Sequence, residues 1–216
     1  AYYSLGQYQK AIEFFQQSLT IKREIGDRNG EGNALSNLGN AYYSLGQYQK
    51  AIEFFQQSLT LAREIGDRNG EGGALGNLGA VYLSLGQYQK AIEFFQQSLT
   101  LAREIGARNG EEKALNNLGI AYGSLGQYQK AIEFFQQSLT IAREIGDRYG
   151  EGIALGNLGL AYNSLGQYQK AIEFYQQSLT ITLEIGDRNG EGLALNNLGL
   201  AYNSLGQYQK AIEFYQ

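Results

Sequence analysis

The chain has 216 residues and a net charge of −4, from 17 basic and 21 acidic side chains, and it contains no His, Cys, Met, Pro or Trp. Without imidazole or thiol there is no zinc ligand set, no Cys nucleophile and no Ser-His-Asp relay, so the commonest catalytic arrangements are excluded, and neither a metal nor a cofactor is expected. The acidic balance, with no cluster of Lys and Arg, argues against a nucleic-acid partner, and no apolar run approaches the roughly 18 residues of a membrane span.

No charged-then-apolar signal segment opens the chain, so the expectation is a soluble protein without a membrane partner, in the cytoplasm before any other compartment. The lack of Cys suits oxidising and reducing surroundings equally.

In chain order, the first feature is the run Ser4-Leu5-Gly6-Gln7-Tyr8-Gln9-Lys10-Ala11-Ile12-Glu13-Phe14. It returns at Ser44, Ser84, Ser124, Ser164 and Ser204, always forty residues on. Self-similarity at one period of this size is the mark of a repeat architecture. With the unit set from Gly32 to Glu71, full copies span 32–71, 72–111, 112–151 and 152–191. Partial copies at 1–31 and 192–216 flank them in a single array.

Within the unit, Leu35, Leu38, Tyr42 and Leu45 recur at helical spacing and predict a first helix, helix A. Gly46 interrupts it. Tyr48, Ala51, Ile52, Phe55, Leu59, Ala62 and Ile65 then predict a longer helix B with a broader apolar surface. Gly66 is placed for a left-handed C-terminal cap, and Asp67 or Asn69 can accept from the free amides of the next helix. Gly39, inside helix A, costs roughly 1 kcal/mol against Ala and implies a close approach to helix B. One helix pair cannot cover its own apolar faces, so neighbouring copies must stack, and the expected fold is an all-α solenoid.

The series Leu35, Leu38-Gly39, Tyr42, Leu45-Gly46, Tyr48, Ala51, Phe55 and Ser58 resembles the tetratricopeptide repeat, over essentially the whole chain. The forty-residue period and the Gly-Asp-Arg-Asn-Gly-Glu joint are similar to the longer variant of LGN-type scaffolds and bacterial regulatory arrays. Leu35 stands in place of the usual Trp, and Arg63 in place of the terminating Pro. The resemblance implies a right-handed superhelix of antiparallel helix pairs, with helix A surfaces lining a concave groove that receives peptides or helices. Where family members clamp a terminal carboxylate, this chain has Ser36 and Asn40, Asn77, then Lys113 and Asn117. Ser36 and Asn117 remove two of the cations, which disfavours a clamp.

The copies differ most at four columns of helix A, those of Asn33, Ser36, Asn40 and Tyr43, on the side opposite the apolar stripe. Solvated drift would explain variation there. However, Gln49, Lys50, Glu53, Gln56 and Gln57 of helix B are the same in every copy present, and the helix A replacements include Ile120, Ile153, Leu160, Leu193 and Leu200. Asn37 recurs as Asn77, Asn117, Asn157 and Asn197, a ladder that bonds either a ligand backbone or neighbouring helices. With Lys113, Asn116 and Asn163, these residues form the candidate ligand-binding set.

The expectation is a non-catalytic scaffold that binds a protein or peptide along helix A, the partner being amphipathic and acidic toward one end. The alternative is structural self-assembly, a fibre or designed consensus array stacking through its end helices. It rests on a chain that begins late in a helix A and stops at Gln216 within a helix B.

Overall fold

The computed structural model describes Tyr3 and residues 6–214. Ser4 and Leu5, which open the first motif copy, lie outside the described residues. So do Ala1, Tyr2, Tyr215 and Gln216, which carry the expectation about the ends.

The described residues form eleven helices and no strand: α1 (Tyr8–Glu24), α2 (Arg28–Ser44), α3 (Tyr48–Ile65), α4 (Arg68–Ser84), α5 (Tyr88–Glu104), α6 (Arg108–Ser124), α7 (Tyr128–Ile145), α8 (Arg148–Ser164), α9 (Tyr168–Ile185), α10 (Arg188–Ser204) and α11 (Tyr208–Glu213). Helix A of each copy is an even-numbered element and helix B an odd-numbered one. The chain divides into two compact units, residues 1–110 and 111–216. In the first, each of α1 to α5 packs on its neighbours in sequence, and α2 also touches α4; in the second, α7 to α11 do the same, and α8 also touches α10. This is an all-α solenoid of consecutive helix pairs, as the repeat implied.

The turns follow from two residue types. Loop glycines recur every twenty residues from Gly6 to Gly206 with φ between 68° and 74°, a region open to Gly at no steric cost. After Gly46, the Gln47 amide donates back to the Tyr42 carbonyl at 2.9 Å; after Gly66, the Asp67 amide donates to Ala62 at 2.9 Å, which closes each helix with a Schellman-type bond. Asp67 then starts the next helix by accepting from the Gly70 amide at 2.9 Å, and Asp27, Asp147 and Asp187 do the same for Gly30, Gly150 and Gly190. The joint residues Arg68 to Glu71 are therefore the first turn of α4, and Asn69 takes no part in the cap.

Packing explains the broader apolar face of helix B. In α2 the buried positions are Glu31, Ala34, Leu35, Leu38, Gly39 and Ala41, with Tyr42 and Leu45 half-buried at the edge. In α3 they are Ala51, Ile52, Phe55, Leu59, Leu61 and Ala62, together with Ser58. A β-carbon on Gly39 would lie 2.5 Å from the Phe55 ring. Gly79 and Phe95, Gly119 and Phe135, and Gly159 and Tyr175 repeat this approach at 2.4–2.5 Å. Glycine is therefore required by contact and not by backbone conformation.

The polar residues repeat for structural reasons too. Glu71 is buried with both carboxylate oxygens engaged, one by Arg63 of α3 at 2.8 Å and the other by Arg68 at 3.0 Å. Arg68 goes on to Glu104 of α5, so one charged chain ties three helices. Lys50, one of the helix B residues that are the same in every copy, stands 5.0 Å over the Tyr42 ring, which in turn stacks on Phe54. Lys90, Lys130, Lys170 and Lys210 repeat the arrangement.

Two predictions follow from these contacts. Gly79→Ala should lower stability by about 2 kcal/mol through overpacking, despite roughly 1 kcal/mol of gained helix propensity, and Phe95→Leu in the same chain should recover part of the loss, measured by chemical denaturation. Ala107 stands where other copies have the capping Asp, so Ala107→Asp should add about 1 kcal/mol by the same assay.

Candidate functional site

The variable columns of helix A meet two different fates. In residues 1–110, Asn33 and Asn37 are exposed, and Asn40 and Asn77 are half-buried. Ser36 is turned toward its own pair, its hydroxyl 2.9 Å from Ser58 of α3. Tyr43 crosses to the next helix A, with its hydroxyl 2.8 Å from Ser84 and its ring 5.7 Å from that of Tyr48. These two side chains are committed to internal contacts.

In residues 111–216 the same columns open a groove. A cavity of about 330 Å³ lies between α8 and α10 with α9 as its floor, lined by Ile153, Leu160 and Leu193 and by Asn157 and Asn197. Ile153, Leu160 and Leu193 are 39%, 47% and 66% exposed, so an apolar strip faces water. Leu200, half exposed, continues the column on α10 outside this cavity. A second cavity of about 320 Å³ between α6 and α8 is walled by Ile120, Asn157 and Leu160. Asn157 and Leu160 are therefore the partition between the two.

The Asn ladder is partly spent on the protein itself. The Asn157 side-chain amide donates to the Asn116 oxygen at 2.9 Å, joining α8 to α6. Asn117 is half-buried, and Lys113 is exposed on the first turns of α6, outside both cavities. Asn163 is half-buried, and its Oδ1 has no hydrogen-bond partner.

Several lining residues escaped the sequence reading. Tyr149 at the mouth of the α8/α10 cavity replaces the Asn of the other joints. In the floor, Thr182 stands where α3, α5 and α7 have Ala and α1 has Lys22, and Tyr175 where α1, α3, α5 and α7 have Phe. All three are changes confined to one or two copies, the same signal that marked helix A, but they fall in the joint and on helix B. Burial of the Tyr175 phenol raises its pKa well above the usual tyrosine value, so it stays protonated.

Glu112 shows how the groove is interrupted. It stands where the other copies have Gly32, Gly72, Gly152 and Gly192. Its buried carboxylate accepts from Ser138 Oγ at 2.8 Å and faces Gly150, the counterparts of Ser178 and Gly190 in the α8/α10 cavity. The Glu112 side chain thus occupies, beside α6, the space left open beside α8. Loss of solvation raises its pKa, and the Asp147 charge adds to the rise; the Ser138 bond and Lys113 oppose it.

Larger troughs elsewhere are polar. Those of about 570 and 470 Å³ in residues 1–110 are lined by the repeated Arg, Glu and Gln side chains, such as Arg63, Arg68 and Glu71, already paired with one another. Their arginines pair with Glu31, Glu64, Glu71 and Glu104, whereas the apolar cavities arise where the copies diverge.

The fold and groove define a helical-repeat protein with an apolar strip on the helix A face. Its class can be stated more narrowly: residues 1–64, 71–144 and 150–216 match the tetratricopeptide repeat, and the chain belongs to that family. No curated protein matches its sequence. Among solved structures, it is similar to BtubC (BKLC) from P. vanneervenii, with a TM-score of 0.86 and 20% identity over 96% of this chain and 87% of that one. It is also similar to a Podosopora anserina putative kinesin light chain with nearly identical TPR-like repeats, with a TM-score of 0.70 and 23% identity over 85% and 90%. A Rap protein complexed with Competence and Sporulation Factor gives a TM-score of 0.74 and 18% identity over 95% of this chain and 62% of that one. Among the described residues, no helix is long and apolar enough to cross a membrane.

Because Glu112 has a higher pKa folded than unfolded, its contribution to stability is best below the unfolded carboxyl range and worsens as pH rises through the raised value. Glu112→Gln, which keeps an acceptor for Ser138, should therefore raise Tm at pH 7 and lose that advantage below about pH 4. Thermal melts across pH test this; a gain independent of pH would contradict it.

Proposed function

We propose that the chain is a non-catalytic protein-interaction scaffold whose helix A face in residues 111–216 holds a peptide or helix of a partner protein. The observation that carries this reading is the cavity between α8 and α10, where Ile153, Leu160 and Leu193 are exposed together instead of being replaced by polar residues. Solvent does not call for three large aliphatic groups converging on one opening, and a partner's apolar side chains do. Repeat arrays of this family present such surfaces, and the similar Rap protein is complexed with a factor. The exposed Lys113 on α6 favours a partner that is acidic at that end, with a contribution limited by solvent screening.

The test is selection of peptides from a random display library on the immobilised chain, followed by affinity measurement with Leu160→Glu and Leu193→Glu. Both positions are exposed, so the variants should fold, and selected peptides should bind them at least tenfold more weakly. Binders indifferent to both charges would place recognition elsewhere and end the groove reading.

A further inference from the structure

Gly123 has no structural duty. It lies within α6 at ordinary helical dihedrals, and a β-carbon added to it would meet nothing closer than the Ala131 methyl at 3.8 Å. Its counterparts are Tyr3, Tyr43, Leu83, Asn163 and Asn203, so the fold accepts side chains of every size in this column. Glycine here leaves a space, and that space is the cavity of about 320 Å³ between α6 and α8.

The chain itself shows what fits. Where the column holds Tyr43, the ring lies beside Tyr48 and the hydroxyl reaches Ser84 at 2.8 Å. Tyr3 repeats this, 5.2 Å from the Tyr8 ring centre and 2.8 Å from Ser44. The residues equivalent to these neighbours are Tyr128 and Ser164, and both line the cavity beside Gly123. The cavity has the shape and partners of a tyrosine side chain that this copy lacks.

We propose that this cavity receives a tyrosine side chain of the bound partner. The proposal rests on the reading of the helix A face as the binding surface and adds the identity of one anchor. The phenol ring enters between Ile120 and Leu160, which replace Asn40 and Ala80 of the Tyr43 copy and give it apolar walls. Its edge meets Tyr128, in the geometry aromatic pairs favour. Ser164 already donates its hydroxyl proton to the Leu160 carbonyl at 2.9 Å, so its oxygen is left to accept, and a phenol supplies the proton that a phenylalanine lacks. No charged residue lines the cavity, so a phosphorylated tyrosine finds no cation there.

The probe is N-acetyl-tyrosinamide, titrated into the isotopically labelled chain and followed by NMR, with N-acetyl-phenylalaninamide and its O-phosphotyrosine analogue for comparison. Saturable shifts are expected at Ile120, Tyr128 and Leu160, with the phenylalanine amide several-fold weaker and the phospho analogue silent. Gly123→Tyr, which restores the residue of another copy and so should fold, should abolish the shifts; Gly123→Leu, copying Leu83, should do the same. Ser164→Ala should erase the preference for tyrosine over phenylalanine. Shifts that fail to saturate, or that survive both Gly123 variants, overturn the proposal. If the tyrosine amide fails while library peptides remain sensitive to Leu193→Glu, the pocket assignment falls and the groove stands; if the amide binds but peptides ignore Leu193→Glu, the pocket stands without the wider groove.

Discussion

The contact on which each helix pair depends is the one between a helix A glycine and a helix B aromatic ring. Gly39 and Phe55 set how closely α2 and α3 approach, and Gly79 with Phe95, Gly119 with Phe135 and Gly159 with Tyr175 repeat the distance. Interhelical spacing determines which other side chains can interlock. With that spacing, Ala34, Leu35, Leu38 and Ala41 of α2 share a core with Ile12 and Leu19 of α1 and Leu61 of α3, while Ala51, Ile52, Phe55 and Leu59 of α3 share the next with Ala74, Leu75, Leu78 and Val81 of α4. The cost of a mid-helix glycine is offset by that burial, and the same pairing appears in four successive copies.

A frame held this firmly can vary elsewhere at little risk. Glu71 held between Arg63 and Arg68, and Lys50 over Tyr42, give the joints and one face of helix B internal partners, which accounts for the recurrence of Glu71, Arg68, Tyr42 and Lys50 from copy to copy; the Arg63 position becomes Leu183 in one. The variable columns of helix A carry such duties in some copies only: Tyr43 reaches Ser84 and Ser36 meets Ser58, while Ile153, Leu160 and Leu193 face water. Changes of side-chain size there do not alter the helices; they alter the spaces between them. Gly152 beside α9 opens one cavity, Glu112 at the same position fills the corresponding space beside α7, and Gly123 opens another where Tyr43 would fill it. The shape and lining of the cavities are thus set by substitution on a constant scaffold.

The helices, their caps and the existence of the repeat could be read from the sequence alone, because these depend on neighbours within about one turn: apolar spacing, a glycine at positive φ, an Asp three residues before an amide it accepts from. The aliphatic strip of Ile153, Leu160 and Leu193 could be read too, since identical copies make an internal comparison possible. What only the tertiary structure decided is which of the varying side chains are turned outward and which are used across a joint. Tyr43 and Ser84 are forty-one residues apart, as are Asn116 and Asn157, and no local pattern tells that each pair bonds. Nor does a sequence show that a glycine leaves a hole, because a hole is made by the three helices around it; Gly123 is silent in the chain and becomes a binding candidate only when Tyr128 and Ser164 are brought to its sides.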